Sequence, residues 1–179
     1  MRKLSVEELN RIKVEEFKNI EKLPIIIILD NIRSQHNIGS IFRTSDAFRI
    51  SELLLCGITA TPPSREIEKS ALGATKSVNW KYFKQTIDAI YYCKSLNYAI
   101  IAIEQTTESN DIRLFNFIQD NKYAFVFGNE INGISDEILQ HCNYAIEIPQ
   151  FGTKHSFNVS ITTAIVLYDY FFKSQLFKL

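Results

Sequence analysis

The feature that most constrains this chain is an alternation of short, nearly unbroken apolar runs with amphipathic stretches. The run IIIIL at 25–29 shows no polar residue in either register. A strand of that kind is covered on both sides, as a central strand of a parallel sheet is. Further strand candidates lie at 53–56, 78–82, 98–103, 124–127 and 144–148. Helix candidates lie at 38–48, 67–72, 86–95, 112–117, 136–141 and 156–173. The alternation predicts an α/β fold, a mostly parallel sheet with helices on both faces. A length of 179 residues suits one domain. Ahead of it, SVEELNRIKVEEFKNI opens with a capping box, Ser5 with Glu8, and carries Leu9, Ile12, Phe17 and Ile20 at roughly helical spacing. This predicts a short helical extension over about 4–22 that ends before Pro24.

Composition narrows the setting. No apolar run approaches the ~20 residues of a membrane span, and the first residues lack the apolar core of a secretory signal. Cys56, Cys93 and Cys142 are odd in number and far apart among apolar neighbours, as reduced thiols of a cytoplasmic protein are. They show no metal spacing with His36, His141 or His155, so no metal is expected. Lys and Arg total 20, as do Asp and Glu. A nucleic-acid partner would therefore be held by a local patch or by a composite surface on an oligomer.

In open parallel sheets ligands gather beyond the carboxyl ends of the strands. Three polar segments follow strand candidates there. In NIGSIFR, Asn37 is placed to cap a helix, Gly39 permits close backbone approach, and Arg43 lies a turn beyond Gly39. A helix N-terminus beside a guanidinium favours an anion such as phosphate; the plainer reading is an ordinary capped helix with a surface Arg. In YAFVFGNEINGIS, a strand runs through Phe127 to Gly128 and turns through a loop with Glu130 and Gly133. Bare backbone at Gly128 would admit a ligand's adenine or ribose, and Glu130 would pair with a cationic neighbour; a simple Asn-Gly turn explains the same residues. In IEIPQFGTKHSFNVSITTAIVLYDYFF, the strand ends at Ile148, and Ser156 or Asn158 would cap a helix whose core stripe is Ile161, Ile165, Tyr168 and Phe172. That apolar face could also meet a second subunit. Phosphate-loop, dinucleotide-fingerprint and nucleophile-elbow patterns do not occur.

In this order and spacing, the three segments resemble the SpoU/TrmH family of RNA ribose 2′-O-methyltransferases, part of the SPOUT superfamily. Motif one, N-x-G-x-x-x-R, is matched by Asn37, Gly39 and Arg43; motif two by FVFGNEINGI; motif three by IPQFGTKHSFNVS. The resemblance runs from about residue 25 to 170. It implies a C-terminal trefoil knot, S-adenosyl-L-methionine as cofactor, an RNA substrate and a homodimer. Carried over residue by residue, it implies a catalytic set of Arg43, Asn37, Glu130, Ser156 and Asn158. The implied cofactor set is Phe127, Gly128, Ile148, Ser156, Phe157 and Asn158. Phe157 departs from the family's usual Leu, which keeps an apolar wall and changes its shape. The motif-one Arg is often taken as a general base; a charged Arg43 that binds phosphate and orients the hydroxyl is physically cheaper. With no large separate RNA-binding domain, tRNA is favoured over rRNA. The alternatives are an rRNA substrate, a base-methylating SPOUT enzyme, a non-catalytic RNA-binding protein that has kept the fold, and a generic nucleotide-binding α/β protein.

Overall fold

The computed structural model describes residues 1–5 and 7–174. Among them, seven strands form one sheet: β1 (Leu23–Asp30), β2 (Ile50–Cys56), β3 (Trp80–Phe83), β4 (Tyr98–Ile103), β5 (Asn110–Asp111), β6 (Lys122–Phe127) and β7 (Tyr144–Glu147). Their order is β3-β2-β1-β6-β4-β7-β5, and every neighbouring pair is parallel. The helices are α1 (Val14–Asn19), α2 (Gln35–Ala47), α3 (Arg65–Ala71), α4 (Thr86–Ser95), α5 (Asp136–Leu139) and α6 (Val159–Ser174).

The unbroken apolar runs follow from two cores served by alternate side chains. On β1, Ile25, Ile27 and Leu29 enter one core while Ile26 and Ile28 enter the other. On β6, Tyr123, Phe125 and Phe127 take the first, Ala124 and Val126 the second. Ile38 and Phe42 of α2, Ile67 of α3 and Leu167 of α6 close the first core. Ala89, Ile90 and Cys93 of α4, with Ile138 of α5, close the second. Burying one such large apolar side chain is worth roughly 1.5–3 kcal/mol, so a polar residue in either register is strongly disfavoured.

Three local expectations give way. The segment 112–117 is not helical. Its spacing mimics a helix, but a single turn closes, with Leu114 and Phe115 N–H both donating to the Asp111 carbonyl, and beyond it Tyr123 Oη accepts from Ile118 N–H at 2.8 Å where the ladder would have continued. Phe117 packs edge-on against Tyr170 and Tyr123, with centroids 4.9 and 5.3 Å away. At the N-terminus, the Ser5–Glu8 capping box forms in both directions, Ser5 N–H to Glu8 at 2.7 Å and Glu8 N–H to Ser5 at 3.3 Å. It closes only a turn, however, and α1 begins at Val14; position 6 of the expected extension lies outside the described residues. Of the expected stripe, Phe17 is buried and Ile20 half-buried, whereas Leu9 and Ile12 are exposed. Finally, α6 buries Val159, Val166, Leu167 and Tyr170, and not the expected stripe. Ile161, Tyr168 and Phe172 are exposed and Ile165 is half-buried.

Candidate functional site

Between β1 and β6 the chain departs in opposite directions, from β1 to its neighbour β2 and from β6 across β4 to β7. This is the switch point at which open α/β sheets leave a crevice. On one side of that point, beyond the carboxyl ends of β6, β4 and β7, the loops that follow these three strands enclose a cleft of about 740 Å³.

Side chains from three distant stretches are joined behind it. Glu130 accepts hydrogen bonds from Arg33 N–H (3.0 Å), Ser34 N–H (3.1 Å) and Asn37 Nδ2 (3.3 Å). Asn158 Nδ2 donates to Asn37 Oδ1 at 3.1 Å. Asn37 is thus a buried polar side chain satisfied from both sides, one partner from the loop after β6 and the other from the loop before α6. Asn37 does not cap α2. Ser34 does, accepting from Asn37 N–H at 3.3 Å, and the helix begins at Gln35. Its side chain is thereby freed to point at the other two segments. Asn158 stands one residue before α6 and accepts from Ser160 N–H at 2.9 Å, so it carries the capping role, while Ser156 lies two residues further out.

Glu130 also differs from expectation. Among the described residues its oxygens meet N–H donors and the Asn37 amide, with no cation within ion-pair distance. Partial burial pushes its carboxyl up. The N–H groups of Arg33, Glu130 itself and Ser34, with the Asn37 amide, outweigh that and hold it below the ordinary carboxylate value. It is an ionised organiser of the loops at neutral pH.

The glycines serve packing first. A Cβ at Gly39 would overlap Ser70 Oγ and the Ile67 carbonyl, so the close approach is by α3. A Cβ at Gly128 would overlap the backbone of Gly133 and Ile134, because the loop folds back through an antiparallel bridge between Asn129 and Gly133. Gly133 needs its freedom, with φ +65°.

Phe127, Gly128, Glu130, Ile148, Ser156, Phe157 and Asn158 all border the cleft. Asn37 backs it through its two hydrogen bonds. Arg43 is not on its wall. It is exposed on α2, six residues or roughly 9 Å of helix rise beyond Asn37, and makes no hydrogen bond or ion pair among the described residues. Two bordering residues went unnoticed in the sequence, Glu104 and Gln105, immediately after β4. Glu104 accepts from Ile134 N–H (3.1 Å), and Gln105 Nε2 donates to the His155 carbonyl (2.8 Å). Nothing local in IEQTTES marks them. The wall carries the carboxylates of Glu104, Glu130, Asp136 and Glu147, and among the described residues no Lys or Arg borders it.

Residues 24–168 match the SpoU rRNA Methylase family. A 23S rRNA (guanosine-2'-O-)-methyltransferase, RlmB, of Neisseria meningitidis is 28% identical over 159 residues, covering 88% of this chain and 62% of the relative. A tRNA (guanosine(18)-2'-O)-methyltransferase of Borreliella burgdorferi is 28% identical over 157 residues, covering 88% of this chain and 70% of the relative. In three dimensions the chain is similar to an AdoMet-bound rRNA methyltransferase from Sinorhizobium meliloti, with TM-score 0.80 and 26% identity over 90% of this chain and 61% of that one. The chain therefore spans less than two thirds of the first relative and of this solved structure. With a match over most of its length and three motif segments joined at one crevice, the chain belongs to the SpoU rRNA Methylase family.

Proposed function

We propose that the chain is an RNA (ribose-2′-O)-methyltransferase that uses S-adenosyl-L-methionine, with tRNA as substrate and rRNA as the alternative. One observation carries the reading: the Glu130–Asn37–Asn158 chain of hydrogen bonds unites three motif segments behind the cleft that lies beyond the ends of β4, β6 and β7. The cleft suits the cofactor. A volume of about 740 Å³ accommodates a nucleoside-sized molecule. Phe127, Ile148 and Phe157 offer apolar surface for a purine. Four carboxylates without a bordering Lys or Arg favour a cationic sulfonium over a phosphate-bearing nucleotide, which sets this reading above generic nucleotide binding. When bound, the cofactor supplies an electrophilic methyl group.

The chain's own task is alignment and proton handling at a ribose 2′-OH. Alignment alone can be worth roughly 7–11 kcal/mol. A guanidinium is not deprotonated in proteins, so Arg43 acts as a charged clamp on the phosphate next to the target ribose. Its exposure on α2 suits contact with a macromolecular substrate. Glu130 and Asn158, tied through Asn37, hold the loops that shape the cleft, which Ser156 also borders. The active unit is a cytoplasmic homodimer, supported by the unpartnered apolar side of α6 and by a groove of about 520 Å³ beside it. No helix among the described residues is long and apolar enough to cross a membrane.

The test is methyl transfer from labelled S-adenosyl-L-methionine to total tRNA and total rRNA, followed by mapping of the modified atom. The expected product is a 2′-O-methylated nucleotide in tRNA. Label in rRNA alone would select the alternative substrate, label on a base would refute the ribose assignment, and no label in either would refute the activity.

A further inference from the structure

Among the bordering residues outside the three motif segments, Glu104 and Gln105 connect the cleft's loops to the end of β4. β4 ends at Ile103, and Glu104 N–H continues the ladder to the Ile146 carbonyl at 3.1 Å. The carboxylate of Glu104 then turns back on itself and outward. Oε1 accepts from Gln105 N–H at 3.0 Å, and Oε2 accepts from Ile134 N–H at 3.1 Å. Oε2 also occupies the space that a side chain on Gly133 would need. The loop after β6 is therefore moulded onto this carboxylate. Gln105 points to the opposite wall, where its Nε2 donates to the His155 carbonyl at 2.8 Å. Gln150 donates to the same carbonyl at 3.2 Å, but from within the same loop.

We propose that Glu104 and Gln105 are positioning residues for the methyl donor: by fastening both cleft loops to the end of β4, they set the width of the donor site. This rests on the methyltransferase reading above. A donor spanning the cleft touches both loops, so its affinity depends on their separation, whereas RNA docks outside and does not. In rigid sites a displacement of about 1 Å can cost on the order of 100-fold, so small loop movements are readable. Glu104 accepts through both oxygens; a glutamine keeps one acceptor for Ile134 N–H and gives up the bond from Gln105 N–H, so it retains the cross-loop contact and loses only the local one.

The experiment is calorimetric titration of the full chain with S-adenosylhomocysteine, together with separate KM values for S-adenosyl-L-methionine and for RNA. Glu104→Ala is expected to weaken binding about 10-fold or more. Gln105→Ala is expected to weaken it several-fold, and Gln150→Ala, which removes only a contact within the loop, less than Gln105→Ala. Glu104→Gln, which keeps the acceptor for Ile134 N–H, should recover part of that loss and bind more tightly than Glu104→Ala. The donor KM should rise in the two weakened variants while the RNA KM stays constant. The proposal is overturned if both alanine variants bind within 2-fold of the unaltered chain. It is also overturned if Glu104→Gln is as weak as Glu104→Ala, or if both KM values rise together with a lowered Tm. Failure of the unaltered chain to bind S-adenosylhomocysteine overturns the methyltransferase reading and this proposal together.

Discussion

Arg43 and Glu130 divide two roles that a single charged residue is often asked to combine. Glu130 is held by N–H donors and an amide, and Arg43 stands free on the helix that carries Asn37. On the reading proposed above, Arg43→Ala removes a clamp on substrate, and it leaves the cleft walls, which Arg43 does not border, unaltered. Methyl transfer should fall at least 100-fold while S-adenosylhomocysteine affinity stays within about 2-fold, read by a transfer assay beside calorimetry. An active variant would remove Arg43 from the mechanism. Glu130 predicts a pH effect of definite sign. Its folded carboxyl lies below the ordinary value, so its stabilising contribution is present above about pH 4.3, the unfolded value, and is lost as pH falls through the folded one. Glu130→Gln should therefore destabilise the chain at pH 7, and by less at an acid pH below about 4.3. Urea titrations of both proteins at the two pH values check it; because the carboxylate is partly solvated, a difference of at most about 1 kcal/mol is expected.

At the scale of elements, α2 shows how packing and site depend on one another. Its N-terminal turn presents Asn37, and its next turn is pressed against α3 at Gly39, where Ser70 Oγ also accepts space beside the His36 carbonyl and donates to it at 3.0 Å. Ser70 can rotate away, but the Ile67 carbonyl is backbone. Gly39→Ala should consequently separate the two helices and lower stability by about 1–3 kcal/mol, seen as a reduced denaturation midpoint at unchanged slope. An unchanged midpoint would show that the helix pair can absorb a methyl group. The same helix marks the limit of legibility. Its existence could be read from an apolar period, as could β4 and α4, whose bounds agree with expectation, because buried faces impose their own spacing. The position of its cap was misread: Asn37 has the side chain of a cap, but Ser34 takes that role while Asn37 is drawn to Glu130 and Asn158, partners no local window contains. Segment 112–117 misled for a related reason: its aromatic side chains meet Tyr123 and Tyr170, residues no local window contains. The cleft's wall was legible in motifs two and three and its backing in Asn37 of motif one, while Glu104 and Gln105 were hidden because the contacts that give them a role lie 30 and 50 residues away.

For the whole molecule, the exposed side of α6 is the largest departure from an economical monomer surface. Residues 161, 165, 168 and 172 follow helical spacing, yet the core is filled by Val166, Leu167 and Tyr170 instead. Tyr168 is 65% exposed, Phe172 72% and, across the neighbouring groove, Phe151 90%. Large aromatic side chains grouped in this way mark an interface, since each would be stabilised by burial and none contributes to this chain's own core. Under the proposed homodimer a second copy presents the same stripe, and a twofold arrangement lets one patch meet itself. The chain mass is 20.7 kDa, so sedimentation at micromolar concentration should give twice that value. Tyr168→Glu combined with Phe172→Glu places carboxylates at the centre of the stripe, where burial would leave them unpaired, and should return the monomer with its far-ultraviolet spectrum intact. If the unaltered chain already sediments as a monomer, α6 is not a dimer face. If the double variant remains dimeric, the subunits meet elsewhere. Since the loop bearing Phe151 continues to Phe157 and Asn158 on the cleft wall, loss of the dimer should also loosen that wall, and S-adenosylhomocysteine affinity should fall alongside the sedimenting mass.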